Sequence, residues 1–333
     1  MNIGILGFGF MGRTHFSRYQ KIDKANVVAI ADRALENKKG DSPIEGNLDL
    51  GLGELDISDV TLYFELEKLI QDPQIDVVDV CLPTFLHKQY VDMAFEHGKD
   101  VICEKPLALK SDDAFAMVEK AKEKNCNFFV AQVLRFWPEF NYLADLVKQQ
   151  EYGPLKYLSL FRRTASPGWA LDDWYLDLHR SGGALDIRIH ELDFLQNLFG
   201  LPSSVVAQGL EDLNIVKGMF TYEAGHRVFL ESNRKLPGLL VFEDGFEALF
   251  EDALVRYCGQ NIPTVKLFLR SSDEVIEPEF SGDPYLEELR HFVNWIDESD
   301  QLSWSSAEDA AQAIWLWEKE VESIKKGGVI TLK

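Results

Sequence analysis

The sequence predicts an α/β protein whose first domain contains a doubly wound parallel sheet. Up to residue 133, apolar runs alternate with amphipathic segments, which is the pattern of parallel strands covered by helices. A glycine-rich turn follows the first apolar run directly. Beyond Gln132, apolar and polar residues alternate, which indicates a mostly antiparallel sheet with one exposed face. We therefore expect a second domain of the α+β type.

Length and composition fit this division. The chain has 333 residues, of which 46% are hydrophobic, and this is enough for two separate cores. We place the first domain at residues 1–125 and the second, with its open-faced sheet, at residues 126–333.

The parallel sheet is predicted from apolar runs, and its helices from helical spacing. The predicted strands lie at residues 2–6, 27–31, 75–82, 100–104 and 127–133, and the helices at 13–19, 86–96 and 112–124. Ser111 is suited to cap the last of these helices, with Asp112 and Asp113 in its first turn. The Gly- and Asp-rich segment 35–62 fits no element, so we interpret it as an acidic surface insertion.

Shorter strands and three helices are predicted after residue 132. These helices lie at 139–148, 284–297 and 306–325, and a further helix is described below. Segments in which apolar and polar residues alternate lie at 157–162, 205–207, 219–222 and 228–230. The dipeptides Ala224-Gly225 and Asp244-Gly245 are typical of the turns of antiparallel hairpins.

Charge and composition exclude several classes of protein. The 34 basic and 55 acidic residues give a net charge of −21, which would repel nucleic acid and anionic membranes. The first strand starts at residue 2 and no long apolar run appears, so we expect neither a signal peptide nor a membrane helix, and a cytoplasmic location. The four cysteines are far apart and lack metal-ligand spacing, so we predict structural thiols and no metal; they are Cys81, Cys103, Cys126 and Cys258.

The glycine-rich turn predicts a dinucleotide site. It lies between a strand and a helix whose N-terminus would face a pyrophosphate, and it consists of Gly7, Phe8, Gly9, Phe10, Met11 and Gly12. Asp32 ends the next strand, twenty positions after Gly12, where its carboxylate could accept hydrogen bonds from a ribose. Arg33 could pair with the 2′-phosphate of NADP, whereas Asp32 would repel it. We favour NAD and leave NADP open.

Two further strand ends carry polar residues at the edge where a nicotinamide would lie. One strand leads into Leu82, Pro83, Thr84 and His87, and another leads into Glu104, Lys105 and Pro106. Pro106 bars helical backbone angles at Lys105 and allows a cis bond, which would fix the direction of the amine. A lysine in a loop is more often simply solvated, but this position makes Lys105 a candidate functional residue.

A third group of residues follows the glycine pair Gly182-Gly183. A predicted helix runs from there to Phe199, with a polar stripe formed by Asp186, His190, Asp193 and Asn197. An Asp and a His four residues apart can form a hydrogen bond that raises the basicity of the imidazole, as a general base requires. Taken alone, such a pair is more often a structural histidine with its partner. The upstream dinucleotide turn favours a catalytic role.

Together these motifs resemble the Gfo/Idh/MocA oxidoreductases over nearly the whole chain. The resemblance implies a Rossmann domain, a sheet domain often used for dimer or tetramer contacts, and NAD(P)-dependent chemistry on CH-OH groups. It also implies that Lys105 orients substrate and relays a proton, that Asp186 binds a hydroxyl, and that His190 is the acid/base. Arg188 departs from the pattern, since relatives often have a small residue there, and it could clash with substrate or bind an anion.

The substrate is indicated only by class. Trp169, Trp174 and Tyr175 could pack on a sugar ring, and Arg162, Arg163 and Arg188 could bind a carboxylate or phosphate. We expect a sugar or polyol dehydrogenase that binds substrate through Lys105, Arg162, Trp174, Asp186 and His190. Two alternatives remain open: a glycoside hydrolase or lyase that recycles its NAD, and a nucleotide-sensing regulator without catalysis.

Overall fold

The computed structural model describes residues 1–33, 35, 50–165, 175, 177–240, 242–298 and 306–332. The chain divides into two compact units. The first comprises Met1–Val133 and Asp283–Ile314, and the second comprises Leu134–Gly282 and Trp315–Lys333. The predicted boundary at residue 125 falls inside the first unit, and a late segment of the chain returns to that unit.

The first unit contains a parallel sheet. Its described strands are β1 (Asn2–Leu6), β2 (Asn26–Ala31), β3 (Thr61–Tyr63), β4 (Val77–Val80), β5 (Asp100–Glu104) and β6 (Phe128–Ala131), and its helices are α1 (Phe10–Tyr19), α2 (Leu66–Gln71), α3 (Thr84–Glu96) and α4 (Ser111–Lys124). The six described strands are ordered β3-β2-β1-β4-β5-β6 and all pairs are parallel. This is the predicted doubly wound sheet, in which the strand order reverses between β1 and β4.

The buried strands of this sheet agree with their apolar sequences, whereas the sequence missed β3 and misplaced the cap of α4. All four residues of β4 are buried, as expected for a strand covered on both faces. β3 was not predicted, because its three residues lie within a Gly- and Asp-rich stretch and are not fully buried. Ser111 is the first residue of α4, and Lys110 occupies the capping position without a side-chain hydrogen bond. Asp112 and Asp113 lie in the first turn as predicted.

A late helix, α8 (Pro284–Glu298), completes the core of the first unit. Leu289, Phe292 and Val293 are fully buried together with residues of β1 and β6. The ring of Phe292 stacks on Phe129 of β6, with centroids 5.0 Å apart. The sheet alone would leave this apolar face exposed.

The second unit contains a larger, mixed sheet. Its strands are β7 (Leu155–Ala165), β8 (Ser204–Gly209), β9 (Ile215–Thr221), β10 (Arg227–Leu236), β11 (Phe242–Phe250), β12 (Ala253–Cys258), β13 (Val265–Leu269), β14 (Val275–Ile276) and β15 (Ile330–Thr331). Its helices are α5 (Pro138–Gln149), α6 (Leu178–Ser181) and α7 (Leu185–Phe199), and α9 (Ala307–Lys326) ends in this unit. Among the described strands of this second sheet, only β7 and β10 pair in parallel, so the prediction of a mostly antiparallel sheet is confirmed.

One face of this sheet is covered. Phe140 of α5 contacts Phe194 of α7 and the sheet residues Phe246 and Tyr257, with ring centroids 5.0 to 5.5 Å apart. On β10 buried and more exposed residues alternate, and Phe229 on the opposite face is 38% exposed. The sheet therefore has one covered and one open face within the unit.

The two predicted turns have different outcomes. Ala224-Gly225 lies between β9 and β10, as predicted. Asp244-Gly245 lies inside β11, so the turn predicted there is wrong. A Cβ at Gly245 would lie 2.6 Å from the Phe161 ring, which shows that this glycine serves close packing.

Two general features bear on the sequence predictions. Among the described residues, no helix combines the length and apolar composition needed to cross a bilayer. All four cysteines are free, and burial raises the pKa of the Cys103 and Cys126 thiols.

Candidate functional site

Each glycine of the turn between β1 and α1 is required for a different structural reason. Gly7 has a φ of +90°, and a Cβ there would lie 2.6 Å from the Cys81 carbonyl oxygen. A Cβ on Gly12 would lie 2.0 Å from the Gly7 carbonyl oxygen. Any residue other than glycine at position 12 would therefore prevent α1 from starting this close to the turn. Nothing lies within 4 Å of a Cβ built on Gly9. The backbone at Gly9 is therefore accessible, as a pyrophosphate-binding turn requires.

Asp32 is joined to this turn by a hydrogen bond. The Phe8 backbone N–H donates to Asp32 Oδ2 at 2.7 Å, so the carboxylate after β2 is fixed beside the turn. Arg13, which the sequence reasoning did not select, places its guanidinium carbon 5.0 Å from the centre of the Phe8 ring. Burial lowers the pKa of Arg13 and the negative charge of Asp32 partly opposes that shift. Its only sequence signal is its place directly after Gly12.

Arg33 is exposed and has internal polar neighbours. Its Nη2 donates to the Tyr90 hydroxyl at 3.4 Å, and that hydroxyl donates to Glu67 Oε1 at 3.1 Å. A 2′-phosphate bound by Arg33 would therefore lie near the carboxylates of Asp32 and Glu67. This arrangement favours a ribose without phosphate.

The loop after β4 and the start of α3 contain four of the predicted cofactor residues. Leu82 and Pro83 are partly buried, and Thr84 begins α3. His87 is 1% exposed, and its two ring nitrogens lie 2.9 Å from the Pro106 carbonyl oxygen and 2.7 Å from the Leu82 carbonyl oxygen. Burial lowers the pKa of His87. His87 thus joins the loops after β4 and β5, a supporting position rather than the exposed contact that the sequence predicted.

Lys105 follows the last residue of β5. Its side chain is partly exposed, and the Lys105-Pro106 bond is cis, as the sequence allowed. The Lys105 backbone N–H donates to Glu104 Oε2 at 3.0 Å. Glu104 itself is 6% exposed, so it is held inside the first unit beside the candidate lysine.

A buried polar cluster between α1 and β4 was not predicted. His15 Nδ1 lies 2.8 Å from Asp79 Oδ2, and the Cys81 sulfur lies 3.4 Å from the same ring nitrogen. These three side chains are metal-ligand types within 4.8 Å of one another. Asp79 Oδ2 and the Cys81 sulfur already contact His15 Nδ1, however, and burial raises the pKa of the Cys81 thiol, which disfavours the thiolate that binds metals. We interpret the cluster as a hydrogen-bonded network.

The glycine pair before α7 is a tight backbone turn in the second unit. Gly182 and Gly183 have φ values of +73° and +68°. A Cβ on Gly183 would lie 2.9 Å from the Leu213 carbonyl oxygen, and that oxygen accepts a hydrogen bond from the Ala184 N–H at 2.8 Å. α7 then extends from Leu185 to Phe199 and Gly200 caps it, as predicted.

Asp186 interacts with an aromatic residue that precedes the glycine pair. Tyr175 is buried and its hydroxyl hydrogen-bonds Asp186, and burial followed by the charge of Asp186 raises the pKa of that hydroxyl. The guanidinium carbon of Arg234 lies 3.6 Å from the centre of the Tyr175 ring, and Arg234 donates to the carbonyl oxygens of Tyr175 and Gly183. Arg234 therefore holds both ends of the segment that leads into α7.

The predicted polar stripe of α7 is divided between buried and exposed positions. Asp193 is buried and accepts two hydrogen bonds from Arg135, at 2.7 and 2.6 Å. Asn197 is exposed, and Asp186 and His190 are partly exposed. Asp193 is thus a structural ion-pair partner, whereas Asp186 and His190 remain the candidates for chemistry. The hydrogen bond between those two stays a prediction.

Arg188 does not bind a ligand anion, so this part of the sequence prediction is corrected. The side chain is fully buried and its Nε lies 2.6 Å from Glu320 Oε2 of α9. It also donates to the Val216 carbonyl oxygen at 3.2 Å. A Cβ on Gly218 would lie 2.2 Å from Glu320 Oε1, so glycine at 218 leaves room for the ion pair.

The remaining candidates for substrate contact are two arginines and two tryptophans. Arg162 is 6% exposed and its Nε donates to Glu191 Oε1 at 2.7 Å, so its charge is neutralised within the unit and a substrate contact is not supported. Arg163 pairs with Glu231 at 2.9 Å. Trp174, together with Trp169, lies outside the described residues.

Comparison with protein families gives two adjoining matches. A model described as an oxidoreductase family with an NAD-binding Rossmann fold matches residues 1–132. A model of the GFO/IDH/MocA C-terminal domain matches residues 140–251. The two matches contain the glycine turn, Asp32, Lys105, Asp186 and His190.

Individual relatives include enzymes of two kinds. A levoglucosan dehydrogenase from Pseudarthrobacter phenanthrenivorans is 32% identical over 62% of this chain and 53% of its own length. A 2,7-anhydro-N-acetylneuraminate hydratase from Escherichia coli is 30% identical over 63% of this chain and 52% of its own. The chain therefore spans about half the length of the curated relatives it matches. A solved levoglucosan dehydrogenase in complex with NADH and levoglucosan has a TM-score of 0.82 at 21% identity, covering 99% of both chains, which supports the fold.

Proposed function

The chain belongs to the Gfo/Idh/MocA oxidoreductase family, with its NAD-binding Rossmann fold, and from this premise we propose that it is a sugar or polyol dehydrogenase. The observation that carries the proposal is the dinucleotide turn, in which Gly9 is accessible and Asp32 is fixed beside Phe8. The residues present fit a nicotinamide dinucleotide. Gly7 to Gly12 would hold its pyrophosphate and Asp32 its ribose.

The proposed reaction uses Lys105, Asp186 and His190, as the resemblance to the family implies. When bound, the nicotinamide would accept or supply the hydride of a carbinol carbon. His190 would take the hydroxyl proton during oxidation and return it during reduction. The Lys105 ammonium would stabilise negative charge on the same oxygen, which is most effective in a site with little water. Asp186 would bind a substrate hydroxyl, and its hydrogen bond from Tyr175 supports this role because it limits the carboxylate to few orientations.

Arg33 and Asp32 support NAD over NADP. The network from Arg33 through Tyr90 to Glu67 leaves a 2′-phosphate close to negative charge. NADP remains the second choice. The cytoplasm remains the proposed location.

The first test follows nicotinamide absorbance with purified protein, NAD or NADP, and a panel of polyols, aldoses, sugar acids and sugar phosphates. We expect turnover with a member of this panel, and a loss of kcat of about 10²- to 10³-fold in Lys105→Met. Lys110→Met, which changes an exposed lysine five positions later, is the matched control and should retain full activity. Equal activity of Lys105→Met and wild type would remove Lys105 from the mechanism.

A second candidate function is favoured by one comparison. A relative at 30% identity is named a hydratase, an activity that leaves the substrate's oxidation level unchanged overall. An enzyme of that kind would recycle its NAD and show no net change in nicotinamide absorbance. The same panel should therefore be analysed by mass spectrometry for gain or loss of one water. Product formation without an absorbance change would favour the hydratase or lyase reading over the dehydrogenase.

A homodimer or homotetramer through the open face of the second unit's sheet is also part of the proposal. Apolar side chains on that face support it, because Phe229 is 38% exposed and its ring lies 5.5 Å from that of Tyr157.

A further inference from the structure

A chain of buried polar contacts connects α1 to the strand end that carries Lys105. His15 and Tyr19 lie on α1, Asp79 on β4, and Glu104 at the end of β5. Each of these side chains is at most 8% exposed. All belong to the first unit, and none is needed for the sheet hydrogen bonds that the backbone makes.

His15 lies between two carboxylates. Its Nδ1 is 2.8 Å from Asp79 Oδ2, and its Nε2 is 3.2 Å from Glu104 Oε1. Burial by itself lowers the pKa of His15, but the negative charge of Asp79 and the nearby Cys81 outweigh burial and raise that pKa well above its ordinary value. The raised pKa favours the protonated ring, whose positive charge offsets the cost of burying both acids.

The second oxygen of Glu104 faces the next residue of the chain. Glu104 Oε2 accepts the Lys105 backbone N–H at 3.0 Å. One oxygen of the carboxylate thus makes a charge contact with His15 that lacks hydrogen-bond geometry, and the other accepts the hydrogen bond from the Lys105 amide. A carboxylate free to rotate would not fix the plane of that peptide group.

We propose that His15 is a positioning residue for Lys105 and acts through Glu104. His15 holds the Glu104 carboxylate against the Lys105 amide, and this contact fixes the direction in which the Lys105 side chain leaves the end of β5. The role of Lys105 in catalysis rests on the proposed function, but the backbone geometry does not. His15 itself touches no substrate in this scheme, so its loss should misplace the amine rather than remove a reacting group.

Tyr19 supplies a matched control. Its hydroxyl donates to Asp79 Oδ2 at 2.9 Å, the same oxygen that contacts His15. Tyr19→Phe removes a buried hydrogen bond from the same cluster and leaves the Glu104 contacts in place. A merely structural role of the cluster predicts similar effects for Tyr19→Phe and His15→Gln, whereas positioning through Glu104 predicts an effect of His15→Gln alone.

The first measurement needs no substrate. In protein labelled with ¹⁵N-lysine, hydrogen exchange of the Lys105 amide is followed for wild type, His15→Gln, Tyr19→Phe and Glu104→Gln. We expect exchange to quicken about tenfold in His15→Gln and Glu104→Gln, and to change less than about twofold in Tyr19→Phe. Equal exchange in wild type and Glu104→Gln, or equal acceleration in His15→Gln and Tyr19→Phe, would overturn the proposal. Glu104→Gln keeps the test usable if His15→Gln fails to fold.

The second measurement is a double-mutant cycle in kcat. His15→Gln should lower kcat about tenfold while the KM for NAD changes less than about twofold, because only the amine is misplaced. In the Glu104→Gln background the same change should lower kcat less than about threefold further. A full tenfold further loss would show that His15 acts by another route. If wild type has no turnover that depends on Lys105, the proposed function fails, and the exchange measurement still decides the positioning role.

Discussion

The carboxylate of Asp32 is attached to the turn that it would serve. Its hydrogen bond from the Phe8 amide fixes its direction, so selection between two dinucleotides would not require a change in loop conformation. Arg13 and Arg33 are the nearby cations, and each has an acidic residue in its surroundings. The predictions for single residues therefore concern the charges of Asp32 and His15.

Asp32→Ala should weaken NAD binding by about tenfold or more and NADP binding less, because the carboxylate favours a free ribose and repels a 2′-phosphate. Dissociation constants from calorimetry would measure both effects. Asp23→Ala, which removes an exposed acid before the opposite end of β2, should leave both constants unchanged. An unchanged NAD-to-NADP ratio in Asp32→Ala would show that the ribose is held by other residues.

The stability contribution of His15 should depend on pH in a defined direction. Its pKa is raised in the folded state, so the stabilisation is complete below the ordinary pKa near 6.5 and is lost as pH rises through the folded-state pKa. We expect His15→Gln to lower the free energy of unfolding by about 3 kcal/mol near pH 6, and by less at alkaline pH. Urea unfolding at both pH values measures this. His97→Gln, at an exposed histidine, should change stability little at either pH. A difference that grows with pH would contradict the assignment.

At the scale of elements, α7 is fixed by contacts distant in sequence. Arg188 on α7 pairs with Glu320 on α9. Asp193, which is also on α7, pairs with Arg135. The helix could be predicted because its apolar residues repeat with helical spacing and glycines flank it. The ion pair of Arg188 could not, because its partner is 132 residues away and no local pattern links the two.

Other elements show the same limit of local reasoning. Apart from β3, the described strands of the parallel sheet were predictable because each contains a run of mostly apolar residues. β11 was missed because Asp244-Gly245 has turn composition. There the glycine accommodates the Phe161 ring, and Asp244 accepts a hydrogen bond from the Tyr257 hydroxyl at 3.0 Å. In the candidate site, the glycine turn, Asp32 and Lys105 follow from sequence. The role of His15 does not, because its carboxylate partners lie on β4 and β5, far away in sequence, and only the folded sheet brings them next to α1.

Arg188→Met should lower the free energy of unfolding by about 3–5 kcal/mol, because it leaves Glu320 buried without its cation. Replacing both partners, Arg188→Met with Glu320→Leu, should recover much of that loss. Lys319→Met breaks a surface pair with Glu322 on the same helix and should cost about 0.5 kcal/mol or less. Chemical denaturation measures all three. A double variant less stable than Arg188→Met alone would contradict a simple buried pair.

At the scale of the whole molecule, the open face of the second unit's sheet is the proposed contact between copies of the chain. Phe229→Glu places a charge on that face and should shift the oligomer toward monomers, as measured by light scattering after size-exclusion chromatography. Phe64→Glu alters a residue of the first unit that is 46% exposed, and should leave the mass unchanged. Wild-type protein that is monomeric at micromolar concentration would contradict the proposed assembly.

The ion pair of Arg188 and the packing of α8 also determine when folding can finish. The buried arginine has no cation-neutralising partner until Glu320 is synthesised, and the first unit lacks Leu289, Phe292 and Val293 until α8 appears. During vectorial synthesis both units must therefore wait for residues 283–320, although most of each unit emerges earlier. Nascent chains arrested before that segment should expose apolar surface and recruit chaperones, and both units should mature together rather than one after the other.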